Sequence, residues 1–238
     1  MTEAGRFQVE DAFWALFPEA RIGAVVASGL DNKRSVAEAR RLLDGATRDA
    51  AAGLGDGEIA DRPAVAPWRT AYRAFGAKPS KYRSSIEGLL RSARSGGVRS
   101  INPLVDLYNA VSLRHGLPCG GEDLAAVRGK IRLGRAAGGE AFVPLGAADP
   151  APPWPGEVIY RDDAGVLCRC WNWREAERTK LTEATRDAFL CLESLPPVGS
   201  ERLEAACDDL AGLVRDLLGG ETAVLLLAAG RPSAVLAP

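Results

Sequence analysis

Polar side chains recur at three-residue intervals along one otherwise apolar segment. In INPLVDLYNAVSLRHGLPCGG, residues 101–121, Asn109, Ser112 and His115 lie three residues apart, and His115 is the single histidine of the chain. On a helix these residues share one drifting stripe, where amide and hydroxyl groups orient a water or a polar ligand. The competing interpretation is a core helix with a polar edge, in which His115 is a helix-terminal residue near the negative end of the dipole.

A second candidate set lies in CRCWNWREAERTK, residues 168–180. An alternating strand places Trp171 and Trp173 on one side and Asn172 and Arg174 on the other. This pattern indicates either a pocket wall that turns Asn172 and Arg174 toward a ligand, with Thr179 nearby, or a strand that covers a core with its aromatic rings. The spacing leaves both interpretations open.

Cations are densest between residues 78 and 99, where Glu87 is the only acid. Lysine and arginine beside small donors such as Ser84 and Ser85 suit phosphate contacts, whereas a solvated helix face has the same charge pattern. The candidates for contact with a nucleic-acid backbone are Lys78, Lys81, Arg83, Arg91 and Arg94.

The elements that position these residues are of both kinds. Helical spacing predicts helices at 36–54, 67–75, 103–113, 185–195 and 201–218, and Ser84 with Glu87 fits a capping box that opens another helix. A β-branched run at 21–29 and the apolar run TAVLLLAAG predict buried strands. Beyond Gly129, alternation in KIRLGRAA, EAFVPLG, GEVIYRD and GVLCRCWNW predicts further strands separated by turns.

Composition excludes several classes of protein. With 238 residues, 47% apolar and 26% charged, the chain is an ordinary packed protein rather than a disordered one. A formal net charge of −1 argues against strong global attraction to nucleic acid, and we expect no DNA partner. The amino terminus lacks the features of a signal peptide, and no apolar run approaches the length of a membrane span.

The cysteines indicate reduced thiols in a cytoplasmic protein. Five is an odd number without a disulfide framework, and Cys168-Arg169-Cys170 is not a zinc half-site. One histidine and scattered thiols offer no ligand set at zinc spacing. We therefore expect no metal, no cofactor and no membrane partner.

Several ordered motifs carry a resemblance to a known family. NPLVDLYNAVSLRHGLPCGGEDL, GKIRLGRAAGGEAFVPLG and GEVIYRD resemble the B3/B4 domain of the phenylalanyl-tRNA synthetase β subunit. From APWRTAYRAFGAKPSKYRSS to WNWREAERTKLTEATRDAFLCLES, the chain is more similar to freestanding B3/B4-domain proteins. The resemblance covers about residues 67–194. It implies an α+β fold with mixed or antiparallel sheets packed with helices, and a pocket between the B3 and B4 parts. In the synthetase, that pocket hydrolyses tyrosine mistakenly attached to the phenylalanine tRNA.

The resemblance carries over residue by residue, with one departure. The family's Asp-x-x-Asn pattern maps onto Asp106 and Asn109, and its Gly-x-Pro exit onto Gly116 and Pro118. The histidine that follows that proline in the synthetase falls on Gly120 here, which puts tyrosine specificity in doubt. Glu175 is expected to replace a pocket glutamate of the synthetase.

These observations lead to a set of expectations. Residues 1–66 would form a segment of helix and strand packed on a B3/B4-like domain of residues 67–238 with carboxyl-terminal helices. The expected function is hydrolysis in trans of mischarged aminoacyl-tRNA, with an amino-acid moiety in the pocket. The alternatives are a non-catalytic module that binds tRNA or an amino acid, and a hydrolase of small molecules. The expected catalytic residues are Asn109, Ser112, Asn172, Arg174 and Glu175, and the expected substrate-binding residues are Tyr108, His115, Trp171, Trp173 and Thr179.

Overall fold

The computed structural model describes residues 5–237, which contain six α-helices and ten β-strands. The helices are α1 (Asp11–Trp14), α2 (Val36–Leu54), α3 (Ala66–Ala74), α4 (Ser85–Arg94), α5 (Pro103–His115) and α6 (Ser200–Leu218). The strands are β1 (Arg6–Val9), β2 (Arg21–Ser28), β3 (Cys119–Asp123), β4 (Ile131–Arg135), β5 (Val158–Arg161), β6 (Val166–Arg169), β7 (Arg174–Glu175), β8 (Ala188–Ser194), β9 (Glu221–Leu227) and β10 (Ser233–Val235). The predicted α+β class is confirmed.

Six strands form a large sheet in the order β10-β1-β4-β5-β6-β7. Only β1 and β4 run parallel within it, and its other neighbours are antiparallel. A register shift at Tyr160 and Arg161 interrupts the ladder between β5 and β6. Such irregularities re-aim side chains locally, and this one lies where the large sheet contributes Tyr160 to the site described below.

Four antiparallel strands form a small sheet in the order β3-β8-β2-β9. Every residue of β8 is buried because both faces of the sheet are covered. Phe189 and Cys191 belong to the core shared with the large sheet, whereas Leu190 and Leu192 belong to the core shared with the helices. The small sheet is thus the middle of three layers.

Helices α2, α5 and α6 form the third layer, and α5 lies between the other two. Helix α5 begins at Pro103, where Asn102 caps it by accepting a hydrogen bond from the Val105 amide (3.1 Å), and it ends at Gly116 in a left-handed conformation. Because α5 is buried on nearly all sides, apolar residues occupy most of its circumference rather than one stripe.

Three expectations about local structure are wrong. Residues 185–195 contain strand β8 instead of a helix, because an uninterrupted apolar run fits a strand buried on both faces as well as a buried helix. EAFVPLG forms no strand, since Pro144 lacks an amide hydrogen and makes only an isolated bridge to Ala176. Residues 170–173 form a turn, so Trp171 to Arg174 do not alternate along a strand.

The amino-terminal segment supplies one strand to each sheet. Strand β1 lies between β10 and β4, and β2 lies between β8 and β9. Residues 1–4 of the expected segment lie outside the described residues, and the expected boundary at residue 66 stays a prediction. No helix within residues 5–237 is long and apolar enough to cross a membrane.

Candidate functional site

A cavity of about 400 Å³ lies between the two sheets. The small sheet contributes alternate residues of β8, namely Phe189, Cys191 and Glu193, and four consecutive residues of its neighbour β3, Cys119 to Glu122. The large sheet contributes three neighbours in register, with Cys168 paired to Tyr160 and to Glu175; all three line the cavity. Along β8, the period of two therefore selects the residues that face this space. Its volume lies in the range of small-molecule sites.

Helix α5 contributes Tyr108 and Asn109 to the cavity wall. Burial, and then the nearby Glu175 carboxylate, raises the pKa of Tyr108 well above its usual value, so its phenol stays protonated. Ser112 does not line the cavity: it is buried, and its hydroxyl donates to the Leu117 carbonyl (2.5 Å) at the end of the helix. The polar edge of α5 is therefore divided between the cavity and the capping of the helix.

Asp106 of the same helix is also structural. Its buried carboxylate accepts hydrogen bonds from the Ser100 hydroxyl (2.5 Å) and from the Ile101 amide (2.9 Å). These bonds tie the preceding loop to the first turn of α5. Of the Asp-x-x-Asn pair, only Asn109 faces the cavity.

The turn between β6 and β7 has an unusual backbone. Cys170 and Trp171 are consecutive non-glycine residues with φ of 46° and 64°, a conformation that costs energy and recurs at functional sites. Aromatic packing holds it in place, since the fully buried Trp171 ring lies 4.8–4.9 Å from the rings of Phe13, Phe17 and Trp68. Trp171 therefore anchors the turn in the core at the edge of the cavity.

The strained turn presents Asn172 to a buried hydrogen-bond chain. Asn172 Oδ1 accepts from the Tyr72 hydroxyl (2.8 Å), and Asn172 Nδ2 donates to Glu193 Oε2 (2.7 Å). Tyr160 donates from its hydroxyl to Glu193 Oε1 (2.6 Å). Burial raises the pKa of Glu193 to about 7, although the bonds from Tyr160 and Asn172 oppose the rise. Asn172 therefore positions Glu193, and both the oxygen and the nitrogen of the Asn172 side-chain amide are already hydrogen-bonded.

Glu175 projects from the short strand β7 toward β3. Its Oε1 accepts a hydrogen bond from the Gly121 amide (3.0 Å). Burial raises the pKa of Glu175 to about 7, partly offset by the Gly121 amide and by Arg174. This carboxyl group therefore changes its protonation state near neutral pH, which suits a general base.

Glu122 is the third carboxyl group of the cavity. It is 5% exposed, and its Oε2 has no hydrogen-bond partner in the described part of the chain. Burial, and then the charge of Glu175, raises the pKa of Glu122 well above its usual value. Two carboxyl groups that repel each other when both are ionised therefore lie near β3.

The three thiols of the cavity are chemically quiet. Burial raises the pKa of Cys119, Cys168 and Cys191 well above the usual range, so they remain protonated and weakly nucleophilic at neutral pH. Within residues 5–237, no group of three histidine, cysteine or acidic side chains is arranged to hold a metal ion. The reactive groups of the cavity are thus its carboxyl groups, amides and hydroxyls.

The first turn of α4 supplies one of those hydroxyls. Ser84 caps the helix, since its Oγ accepts from the Glu87 amide (3.4 Å), as the capping-box pattern predicts. Ser85 lines the cavity, and its buried Oγ has no hydrogen-bond partner among the described residues. The positive end of the helix dipole therefore lies beside an available donor.

Cations and an aromatic ring lie at the edge of the cavity. Lys81, Arg83 and Arg174 are exposed and belong to its lining. The Arg174 guanidinium lies 5.6 Å from the centre of the Trp173 ring, whose edge meets Tyr82 at 4.7 Å between ring centres. We call Lys81, Arg83 and Arg174 the basic rim.

The structure does not bring the remaining candidates to the cavity. His115 Nε2 lies 3.0 Å from Asp209 Oδ2, and Thr179 is buried beside β3. Arg91 contacts the buried Glu87 (3.0 Å), and Arg94 donates to the Gly57 carbonyl (2.6 Å). Lys78 lies in a separate depression.

Sequence reasoning missed Glu122, Glu193 and Tyr160. A signal for Glu193 exists in AFLCLES, where an acid continues the alternation of Phe189 and Cys191 on one face of a buried strand. Glu122 follows two glycines, and because glycine is uncommon in strands the sequence does not predict a strand there. Tyr160 lies in an apolar run and has the surroundings of an ordinary core residue.

Comparisons with known proteins identify the family. The sequence model of the B3/4 domain family matches residues 67–219. No curated protein matches the chain. Among solved structures, an N-terminal fragment of the phenylalanyl-tRNA synthetase beta-subunit from Pyrococcus horikoshii is similar, with a TM-score of 0.49 and 13% identity. That match covers 93% of this chain and 52% of the fragment, so the chain spans about half the fragment's length. The family model covers more than half of the chain, and the protein therefore belongs to the B3/4 domain family.

Proposed function

We propose that the protein hydrolyses the ester bond of mischarged aminoacyl-tRNA in trans, in the cytoplasm. One observation carries the proposal: Glu175 lies in a cavity of about 400 Å³ with its Oε1 held by the Gly121 amide, and its pKa is about 7. The resemblance to synthetase editing domains gives the same expectation.

The proposed reaction needs few groups because an aminoacyl ester is already activated. Glu175 accepts a proton from a water molecule whose oxygen attacks the ester carbonyl carbon. The bond from that carbon to the ribose oxygen then breaks, and the ribose oxygen takes the proton. The Ser85 hydroxyl and the amino-terminal end of α4 stabilise the oxyanion that develops on the carbonyl oxygen, and Asn109 orients the water.

The basic rim provides a place for the tRNA end. The acceptor end is single-stranded and carries phosphates, which Lys81, Arg83 and Arg174 are suited to contact. The aromatic rings of Tyr82 and Trp173 beside them offer a surface for stacking of the terminal base. In this proposal Arg174 binds phosphate at the rim rather than the reacting carbonyl.

The decisive experiment uses a panel of tRNAs that carry different amino acids. We expect the protein to accelerate ester loss from at least one of them, and Glu175→Gln to lower the single-turnover rate about 100-fold or more. Glu177→Gln is the matched control, because Glu177 is two residues away and pairs with Lys180 outside the cavity.

Two results would contradict the proposed ester hydrolysis. Ester loss at the spontaneous rate for every amino acid would show that the protein lacks the proposed activity. An unchanged rate in Glu175→Gln would show that Glu175 is not the base. Tight binding of aminoacyl-tRNA without release would support the non-catalytic alternative instead.

A further inference from the structure

The acids that line the cavity have no cationic partner, unlike three of the other four buried acids in the described part of the chain. The fourth, Asp106, is held by neutral donors, the Ser100 hydroxyl and the Ile101 amide. Elsewhere, Glu87 contacts Arg69 (2.8 Å), Glu157 contacts Arg169 (2.7 Å) and Asp162 contacts Arg178 (2.7 Å). No described lysine, arginine or histidine nitrogen lies within 4.0 Å of the carboxylates of Glu122, Glu175 or Glu193. Buried charges are normally paired, so these three acids line a site that lacks its positive charge.

Glu122 gives the most direct sign of a missing ligand group. Its side chain is more than nine-tenths buried and lines the cavity, yet Oε2 has no partner at hydrogen-bond distance in the described chain. The buried Thr179 hydroxyl, which also lacks a partner, lies near enough to lower the pKa of Glu122. A buried acceptor left without a donor costs about 1–3 kcal/mol. Glu122 lies on the same face of β3 as Gly120, which faces Glu175. A donor placed between β3 and β7 would satisfy both acids.

The surrounding charges leave this space open to a cation. Two arginines act on these acids without contacting them. Arg174 of the basic rim lowers the pKa of Glu175, and Arg178, which pairs with Asp162 (2.7 Å), lowers the pKa of Glu122. Burial holds the three carboxyl groups partly or wholly protonated near neutral pH. An entering cation would favour their ionised forms, and its binding would release protons into solution.

The walls of the cavity also suit a cation on a hydrocarbon chain. The Tyr108 and Tyr160 rings line it together with Phe189 and Trp171, and aromatic faces attract ammonium and guanidinium groups. The α-ammonium group of an aminoacyl ester needs only one of the three acids. Glu175 is the base of the proposed reaction, so one acid remains for the side chain of the amino acid.

We infer that the cavity selects amino acids whose side chain ends in a positively charged nitrogen, with Glu122 as the specificity-determining residue. This inference rests on the proposed ester hydrolysis for its biological meaning, and it names the substrate class of that reaction. Glu122 and Glu193 then receive the two positive charges of such an ester, and Glu175 remains the base of the reaction.

Binding of small amides tests the selectivity apart from catalysis. L-lysinamide and L-norleucinamide share the α-ammonium group and differ at the end of the side chain, and L-argininamide and L-citrullinamide form a second pair. We expect calorimetry at pH 7 to show each charged amide binding at least 10-fold more tightly than its neutral counterpart. Repetition in buffers of different ionisation enthalpy should reveal net proton release.

Variants then assign the preference to Glu122. Glu122→Gln should reduce the charged-to-neutral affinity ratio about 10-fold, whereas Glu177→Gln should leave it unchanged. Circular dichroism checks that each variant is folded. If Glu122→Gln does not fold, the amide pairs with the unmodified protein and Glu193→Gln still decide the question.

The outcomes separate the two proposals. Equal or tighter binding of the neutral amides, or no binding of any amide, overturns the cationic preference. Tighter binding of L-serinamide or L-tyrosinamide than of L-lysinamide also overturns the cationic preference, since protonated carboxyl groups then recognise a hydroxyl. Cation-selective binding without hydrolysis of lysyl-tRNA or arginyl-tRNA supports the selectivity and contradicts the proposed hydrolysis alone.

Discussion

The absence of a side chain at Gly120 makes room for the Glu175 carboxylate. A Cβ at position 120 would lie 2.7 Å from Glu175 Oε1, and the amide of the next residue, Gly121, holds that same oxygen at 3.0 Å. Gly120 and Glu175 thus depend on each other.

Gly120→Ala should displace the carboxylate and slow hydrolysis. The new methyl group would push Oε1 off the Gly121 amide, and small misplacements of a catalytic group lower rates about 10-fold or more. Single-turnover deacylation measures the effect. Gly53→Ala in helix α2 is the control, because nothing lies within 4 Å of its added Cβ. A full rate in Gly120→Ala would show that the position of Glu175 is unimportant.

The rate of hydrolysis should rise with pH through about 7. Glu175 accepts a proton only when ionised, and its pKa is about 7. After subtraction of spontaneous hydrolysis, kcat/KM should increase about 10-fold per pH unit below that value and level off above it. Glu175→Gln should lack this rise of kcat/KM with pH. A rise that persists in the variant would assign the titration to another group.

Folding stability should fall as pH rises from about 4.5 to 7 because of Glu193. Its folded pKa of about 7 exceeds the unfolded value, so the folded state binds a proton that is lost as pH increases. The full effect is about 3 kcal/mol in the free energy of unfolding. Urea unfolding of Glu193→Gln and the unmodified protein at pH 5 and pH 8 measures it. Identical pH dependence of the two proteins would contradict the shifted pKa.

Removal of a rim cation should weaken the salt dependence of tRNA binding. Each phosphate contact with a single strand contributes about 0.7 to the slope of log affinity against log salt concentration. Lys81→Ala, Arg83→Ala and Arg174→Ala should each reduce that slope by about this amount. Arg40→Ala, on the exposed side of α2, is the control. Unchanged slopes in all three rim variants would place the tRNA elsewhere.

Tyr72→Phe should destabilise the protein by about 1–2 kcal/mol, because it leaves Asn172 Oδ1 without its donor. Asn172 would then hold Glu193 less firmly. The midpoint of urea unfolding measures the loss, and Tyr82→Phe at the cavity edge serves as the control. Equal midpoints for the two variants would indicate that the Tyr72 hydroxyl contributes nothing.

The sequence predicts the helices and the mixed class well because these features depend on local periodicity. Helix α2 begins and ends at the predicted residues 36 and 54, since its apolar face follows the helical period. The sequence predicts a helix where the structure has strand β8, because burial on two faces removes the alternation that distinguishes a strand.

The site was predicted only in part because it is assembled by pairing across long distances in the chain. Asn109, Asn172 and Glu175 attract notice as polar groups in apolar or aromatic surroundings, and all three line the cavity. Glu122 and Glu193 reach it through the register of β3 with β8, which the sequence does not specify. The left-handed turn at Cys170 and Trp171 depends on aromatic contacts from α1 and α3.

Strands β1 and β2 occupy interior places in the two sheets although they precede the segment that the family model matches. A protein cut to residues 67–219 would leave β4 and β8 each with a bare edge of backbone groups, and bare edges invite self-association. The smallest unit to express is therefore the full span from β1 to β10, two strands that pair with each other.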